Sequence, residues 1–299
     1  MISVVIPLYN KETNIAKTLR TVLNQTFQQF EIIVVNDGST DNSATEASKV
    51  LDDRIRIVNQ ENAGVSAARN RGIAEAKYDL IAFLDADDEW KADYLETQYT
   101  LYKKYPECSV FACNYELHNA DGRIIQTIIK KLLFDTEDGI LTNYFEVASC
   151  SHPPICSISI MVKRQAIQDI GGFPLGIKSG EDLLTWARLA CNSKIAYSRK
   201  PLAVFNVEGY SVKEKPKRLP AENDIVASEL KLLRNRYRVP GLGKYISTWY
   251  KMRSSIYMRL GQRRNSLREA FNALKYNPLN YKIYAYIFIN LLPSRFQPF

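Results

Sequence analysis

Asp85, Asp87 and Asp88 place three carboxylates within four residues, directly after the apolar run Leu80–Leu84. Three carboxylates that close repel one another unless a cation offsets their charge. Hard oxygen donors in this arrangement suit Mg²⁺ or Mn²⁺ carrying substrate phosphates. The plainer reading is a solvated acidic turn, with Asp88 or Asp85 capping a helix that starts near Lys91. Four further clusters offer polar groups: Pro7-Leu8-Tyr9-Asn10, Asn36-Asp37-Gly38-Ser39, the stretch from Asn62 to Asn70, and Glu181-Asp182. Taken singly, Tyr9 and Asn10 read as turn and capping residues, Asp37-Gly38 as a tight turn, and Arg69 and Arg71 as a solvated helix face. Glu181 and Asp182 read alone as acids favoured in a first helical turn. His118 and His152 are the only histidines, which disfavours a His-based metal site or a Ser-His-Asp triad.

These clusters need a scaffold that brings strand ends together. The first half of the chain alternates apolar strands (Ile2–Pro7, Glu31–Val35, Arg54–Asn59, Asp79–Leu84) with helical segments (Thr13–Asn24, a helix through Val50, Gly64–Ala76). A β-α-β-α-β-α-β order implies a parallel, doubly wound sheet. Leu80–Leu84 lacks alternation, as a strand covered on both faces does. Ligands of such sheets bind past the carboxyl ends of the strands, where the Pro7–Asn10, Asn36–Ser39 and Asn62–Asn70 clusters could face one pocket with Asp85 and Asp87. Ser109–Glu116 and Gly122–Lys130 read as added strands, Ile155–Val162 as a strand, Arg164–Ile170 and Gly180–Leu189 as helices, and 194–197 and 202–206 as short strands. After a polar linker come four helices, about Glu222–Tyr237, Leu242–Leu260, Asn265–Tyr276 and Leu279–Leu292. The expected domains are 1–211, divided into a nucleotide-sugar half (1–116) and an acceptor half (117–211), a linker at 212–221, and a basic aromatic helical region at 222–299.

In order and spacing, these motifs resemble the family 2 glycosyltransferases. Ser3–Asn10 is similar to that family's opening strand and Val35–Asp41 to its second-strand motif. Asn62-Ala63-Gly64 through Arg69-Asn70-Arg71-Gly72 is similar to its third-helix motif, and Asp85-Ala86-Asp87-Asp88 to its D-x-D motif. Gly171-Gly172-Phe173 and Ser179-Gly180-Glu181-Asp182 resemble its acceptor-side motifs. The resemblance covers about residues 1–206. It implies a GT-A fold: a doubly wound, mostly parallel α/β sheet flanked by helices, here with a C-terminal helical extension. It implies that Pro7, Tyr9 and Glu12 line the base and ribose pocket, that Asp37 accepts a hydrogen bond from a pyrimidine, and that Arg69 lies near the nucleotide or diphosphate. Asp85 and Ala86 would contact the donor, and Asp87, with Asp85, would hold Mn²⁺ or Mg²⁺. Asp182 is the expected general base, with Glu181 adjacent.

The implied function is inverting transfer of a sugar from a nucleotide-diphospho-sugar, UDP-linked, to a glycan or lipid-linked glycan in bacterial surface polysaccharide assembly. The competing readings are a sugar nucleotidyltransferase, which would show a glycine-rich phosphate loop after the first strand, and a non-catalytic sugar-nucleotide-binding scaffold. Two departures stand out. Leu184 occupies a position where many members carry a second acid. Phe205–Ser211 lacks histidine, leaving Arg199, Lys200 or Lys213 to take over at the diphosphate. Trp186 could pack under an acceptor sugar or in the core, and His152-Pro153-Pro154 could be a rigid loop or an acceptor contact.

The chain carries a net charge of +8. From Leu230 to Phe299 there are fourteen Lys or Arg and one acid, Glu269, a net +13 that leaves about −5 for the first 229 residues. A basic, aromatic tail suits an anionic membrane surface, a packed subdomain or a homodimer contact. Dispersed basic residues without a recognition motif argue against nucleic acid. Five cysteines without a C-x-x-C pair, and no apolar leader, point to a reduced cytoplasmic protein, peripheral on the inner face of the plasma membrane if the tail binds lipid.

Overall fold

The computed structural model describes residues 1–207 and 219–292. The chain folds into two compact units, Met1–Thr142 with Ser151–Gly209, and Asn143–Cys150 with Tyr210–Phe299. Residues 212–218 of the expected linker, together with Tyr210, Ser211 and Lys213, lie outside the described residues.

The first unit begins β1 (Ile2–Leu8), α1 (Ile15–Leu23), β2 (Phe30–Asp37), α2 (Ser43–Ser48), β3 (Ile55–Gln60), α3 (Val65–Glu75), β4 (Leu80–Phe83). All of β1, β2 and β4 is buried, because helices cover both faces of a parallel sheet. α1 turns Ile15, Thr18, Leu19 and Val22 inward, one face at helical spacing. There follow β5 (Glu89–Trp90), α4 (Tyr94–Lys104), β6 (Val110–Asn119), β7 (Ile124–Gln126) and β8 (Asp138–Ile140). After α5 (Tyr144–Cys150), which belongs to the second unit, come β9 (Ile160–Lys163), α6 (Arg164–Asp169), α7 (Glu181–Asn192) and β10 (Ile195–Val207). The sheet order is β3-β2-β1-β4-β9-β6-β10-β5, with β7 on β6 and β8 on β10. β3, β2, β1 and β4 pair in parallel. β9 runs antiparallel between β4 and β6, while β6 and β10 pair in parallel. Strand order reverses between β1 and β4, so the crevice past their carboxyl ends is the place for a ligand. Tyr9 to Glu12 and Leu84 to Asp88 stand there.

Several expected boundaries change. The strands expected at 194–197 and 202–206 are one strand, β10, with register shifts at Ser198, Pro201 and Ala203 where proline interrupts the ladder. The strand expected over Ile155–Val162 begins only at Ile160, and residues 155–159 form a turn closed by Ser159 N on the Cys156 carbonyl, 3.1 Å. The helix expected near Lys91 starts at Tyr94, after the short strand β5. α5 and β8 carried no signal that was read from the sequence.

The second unit contains α5 and α8 (Ile225–Tyr237), α9 (Leu242–Arg259), α10 (Arg263–Tyr276) and α11 (Tyr281–Leu291). The four tail helices fall close to their expected ranges. Asp224 caps α8 by accepting from Ala227 N, 3.0 Å. Its carboxylate also takes the Trp249 indole N–H at 3.0 Å and pairs with Arg253 at 3.1 Å, which joins α8 to α9. Among the described residues no helix is long and apolar enough to cross a membrane.

Candidate active site

α3 approaches β1 through small residues. A Cβ on Gly72 would stand 2.2 Å from Val5 Cγ1, so only glycine allows this spacing. One turn earlier on α3, Arg69 is 3% exposed. Its Nη2 donates to Asp85 Oδ1 at 2.7 Å, and its guanidinium lies 5.2 Å from the Phe173 ring centroid. Burial pulls this guanidinium down, but attraction to Asp85, then Asp182 and Glu181, leaves it above its ordinary value. Nε and Nη1 have no protein acceptor. Arg69 is therefore not a solvated helix face, whereas Arg71 is half-exposed and pairs with Glu75 at 2.7 Å.

The loop into α3 is organised by Asp37, at the end of β2. Its carboxylate, 3% exposed, accepts from Gln60 Nε2 (2.7 Å), Ala63 N (2.9 Å) and Gly64 N (2.9 Å). Gly38 takes a positive φ of 69° here, and a Cβ on it would meet Asn62 N at 2.8 Å. The segment after β1 is laced to the segment after β2. Asn10 Oδ1 accepts from Thr40 N (2.9 Å), Lys11 N donates to Ser43 Oγ (2.7 Å), and Glu12 Oε2 accepts from Asn42 N (2.9 Å). Pro7 is buried within β1, and Tyr9 is exposed beside it.

The carboxylates after β4 have separate environments. Asp85 has each oxygen committed: Oδ1 to Arg69 and Oδ2 to Ser157 Oγ, 2.7 Å. Asp87 Oδ2 pairs with Lys11 Nζ at 2.5 Å, both side chains partly exposed. Ala86 is buried, and its carbonyl accepts from Thr18 Oγ1 at 3.0 Å. Asp88 is 2% exposed, and its Oδ1 accepts from Asn206 N at 2.7 Å. It caps no helix; Asp93 holds the position before α4. Burial, then the charges of Asp85 and Asp87, push the Asp88 carboxyl well above the usual range. Asn206 fastens this turn to β10, its Nδ2 donating to the Asp87 carbonyl (2.7 Å) and Glu89 Oε1 (3.1 Å). A cavity of about 210 Å³ opens beside Asp87, lined by Lys17, Glu89, His118 and Asn206 among others.

α7 brings the second acidic pair. Gly180 precedes it in the left-handed region (φ 86°), which aims the first turn. Asp182 is partly buried. Burial pushes its carboxyl up, the Leu183 N–H (2.7 Å) and Arg69 pull it down, Asp85 pushes it up again, and the net shift is upward. Asp182 thus lies in the electrostatic field of both Arg69 and Asp85. Asn70 makes this possible. It donates to the Phe173 carbonyl and accepts from Phe173 N, each 2.8 Å, and Phe173 packs edge-on against Trp186 of α7 at 5.6 Å. Trp186 (1% exposed) and Leu184 (0%) are core residues. His152 Nδ1 accepts from Ile128 N at 3.2 Å.

Thus Arg69, Asp85, Asp182 and Glu181 interact directly or through their fields, and Asp87 stands two residues from Asp85. Lys11, Ser157 and Asn206 were not singled out from the sequence. Lys11 lies inside the Tyr9–Glu12 run and could have been. Ser157 was hidden inside an apolar stretch read as strand. The thiols near the site are not nucleophiles: burial pushes Cys156 up to about 12.

Among the described residues no group of three or more His, Cys, Asp or Glu is placed to hold a metal ion. Asp85 and Asp87 are a two-carboxylate set. That set does not make a protein cage, but it fits a hard cation that keeps waters and borrows ligands from substrate phosphates. Lys11 already stands on Asp87 as a positive charge.

The strand order and the residues on its edge place the chain in the GT-A class. It belongs to glycosyl transferase family 2, whose family model matches residues 3–167. The putative teichuronic acid biosynthesis glycosyltransferase TuaG of Bacillus subtilis is 32% identical over 200 residues, 66% of this chain and 75% of that protein. Glycosyltransferase GlyA of Streptococcus pneumoniae is 30% identical over 212 residues, 69% of this chain and 30% of that protein. The chain thus spans about a third of the length of relatives such as GlyA. Among solved structures, residues 1–349 of Staphylococcus aureus TarS with UDP-GlcNAc align with a TM-score of 0.70 over 96% of this chain and 84% of that one, at 17% identity, a likeness of fold.

Proposed function

We propose that this chain transfers a sugar from a UDP-linked donor to a hydroxyl of a glycan or lipid-linked glycan, with inversion at the anomeric carbon. The observation that carries this reading is Asp182: a carboxyl with a raised pKa, on a separate element, in the field of the Arg69–Asp85 pair. Asp182 takes the proton of the acceptor hydroxyl. The oxygen then forms its bond to the anomeric carbon as the bond to the diphosphate breaks, and the electron pair leaves with UDP. A carboxyl with a raised pKa is the stronger base for that proton. Pro7, Tyr9, Glu12 and Asp37 border the nucleoside, and the buried Arg69 guanidinium, held on Asp85 at 2.7 Å, sets a positive charge behind the diphosphate side. Asp87, with Asp85 through a water, would hold Mn²⁺ or Mg²⁺, which supplies Lewis-acid neutralisation of the leaving diphosphate. This chemistry is assigned to residues 1–211.

The TarS fold likeness and the teichuronic acid role in the name of TuaG support a UDP-sugar donor and a bacterial surface polymer as acceptor. Such a polymer would be extended in the cytoplasm, at the inner face of the plasma membrane.

A thermal-shift series with UDP-, GDP-, dTDP- and CMP-sugars, with and without Mn²⁺ or Mg²⁺, tests this reading. A UDP-sugar with a divalent ion at about 100 times its Kd adds about 2.7 kcal/mol and raises Tm by several degrees. A response to CMP-sugars alone, or to none, contradicts it. A donor that binds but is never turned over would make the chain a sugar-nucleotide-binding scaffold.

A further inference from the structure

We propose that the outward face of α11, with Lys282 at its N-terminal end and Lys251 of α9, docks this protein on an anionic lipid surface. The inference stands apart from the transfer chemistry. Inside the second unit the rotation of α11 is fixed: Ile283 is fully buried, and Asn290 Nδ2 donates to Ser266 Oγ of α10 at 2.9 Å. That rotation leaves Tyr281, Tyr284, Phe288 and Leu291, at spacings of three, four and three, on the opposite face. They are 74%, 51%, 64% and 68% exposed, and Leu279 just before them is 90% exposed. Four large apolar residues aligned on one short helix form a stripe, not the scattered exposure of an ordinary surface.

The charges around this stripe have one sign. Residues 242–291 hold nine Lys or Arg and a single acid, Glu269. Glu269 is 3% exposed and lies between Arg253 (3.6 Å) and Arg268 (3.4 Å). No carboxylate side chain of α9, α10 or α11 therefore reaches solvent. Lys251 of α9 lies close enough to Lys282 of α11 for the two ammoniums to repel. Burial first, and then Lys282, hold Lys251 below its ordinary value. No exposed acid on these three helices offsets this pair of cations.

The chemistry identifies the occupant. A helix of 11 residues is about 16 Å long, too short to span a bilayer but suited to lie in its interface. Its tyrosines have the apolar body and polar tip that sit at headgroup depth. A second copy of the chain is a poor occupant, because two such surfaces repel. One short helix also offers far less than the roughly 800 Å² per partner of a stable interface. Anionic headgroups satisfy the lysines while the acyl boundary takes the aromatic face.

Flotation of the full chain with vesicles tests this, using phosphatidylcholine alone or mixed with phosphatidylglycerol, at low and high salt. Binding is expected only to the phosphatidylglycerol vesicles and is reversed by salt. Phe288→Ser should lower the partition constant roughly tenfold, and Lys251→Glu with Lys282→Glu by more. Phe288 and Lys282 are exposed and Lys251 is partly buried, so an unchanged Tm and far-UV circular dichroism are the control that each variant keeps the fold. Equal flotation with both lipids, no flotation at low salt, or variants that bind as the wild type would overturn the proposal. So would a lipid-free dimer, seen by sedimentation, that Phe288→Ser dissolves; that result assigns the face to a second copy.

Discussion

Asp85 and Asp87 are two residues apart in sequence, yet their surroundings give them different jobs. Asp85 neutralises a buried arginine, and losing one member of such a pair strands the other. Asp87 pairs with a partly exposed lysine, a contact of about 1 kcal/mol or less. Asp85→Ala should therefore lower the unfolding free energy by about 3 kcal/mol, while Asp87→Ala stays within about 1 kcal/mol of the wild type. Both should abolish transfer. Urea unfolding beside a transfer assay separates the two, and equal stability of the variants would contradict the division. The acids themselves were legible, because they follow an apolar strand. Their partners were not: Ser157 and Arg69 reach Asp85 across 72 and 16 residues, and Asn206 reaches Asp88 across 118. Nothing local in the sequence specifies such pairings. The plainer reading, with Asp88 or Asp85 capping a helix, fails for the same reason, since Thr18 holds the Asp88 carbonyl and Asn206 its carboxylate.

Among elements, α3 sets the site. It presses on β1 at Gly72 and Val5, presents Arg69 to Asp85, and through Asn70 holds the Phe173 loop that packs against α7. Gly72→Ala leaves the helix propensity of α3 improved but forces a Cβ into Val5. The overpacking should cost about 1–3 kcal/mol, lower Tm by several degrees, and reduce transfer by shifting Arg69 from Asp85. An unchanged Tm measured by calorimetry would show that α3 can lift without consequence. The parallel half of the sheet was legible because strands buried on both faces read as unbroken apolar runs. β10 was not, since Arg199-Lys200-Pro201 interrupts its apolar pattern while the strand continues. Residues 155–159 misled in the opposite sense, an apolar stretch that is turn.

At the scale of the molecule, charge divides the chain. The acidic carboxylate edge belongs to the first unit, and helices α9 to α11, which expose no acid, belong to the second. The composition of the tail already showed this asymmetry. Which of its aromatic residues face outward required the structure, because Ile283 and Asn290 fix the rotation of α11 from within. The family assignment rests on the first unit, which contains nearly all of residues 3–167. Within it, Asp182 is the group proposed to take the acceptor proton. The most direct measurement is kcat/KM for sugar transfer against pH, for the wild type and Asp182→Asn, beside calorimetric titration of UDP. Because the Asp182 carboxyl is raised, the wild-type rate should fall as pH drops, with an acid limb displaced upward from the ordinary value of an aspartate. Asp182→Asn should lose about 10²–10⁴-fold in kcat and that limb with it, while binding UDP as the wild type does. Transfer that persists in Asp182→Asn with the same pH profile would contradict the account.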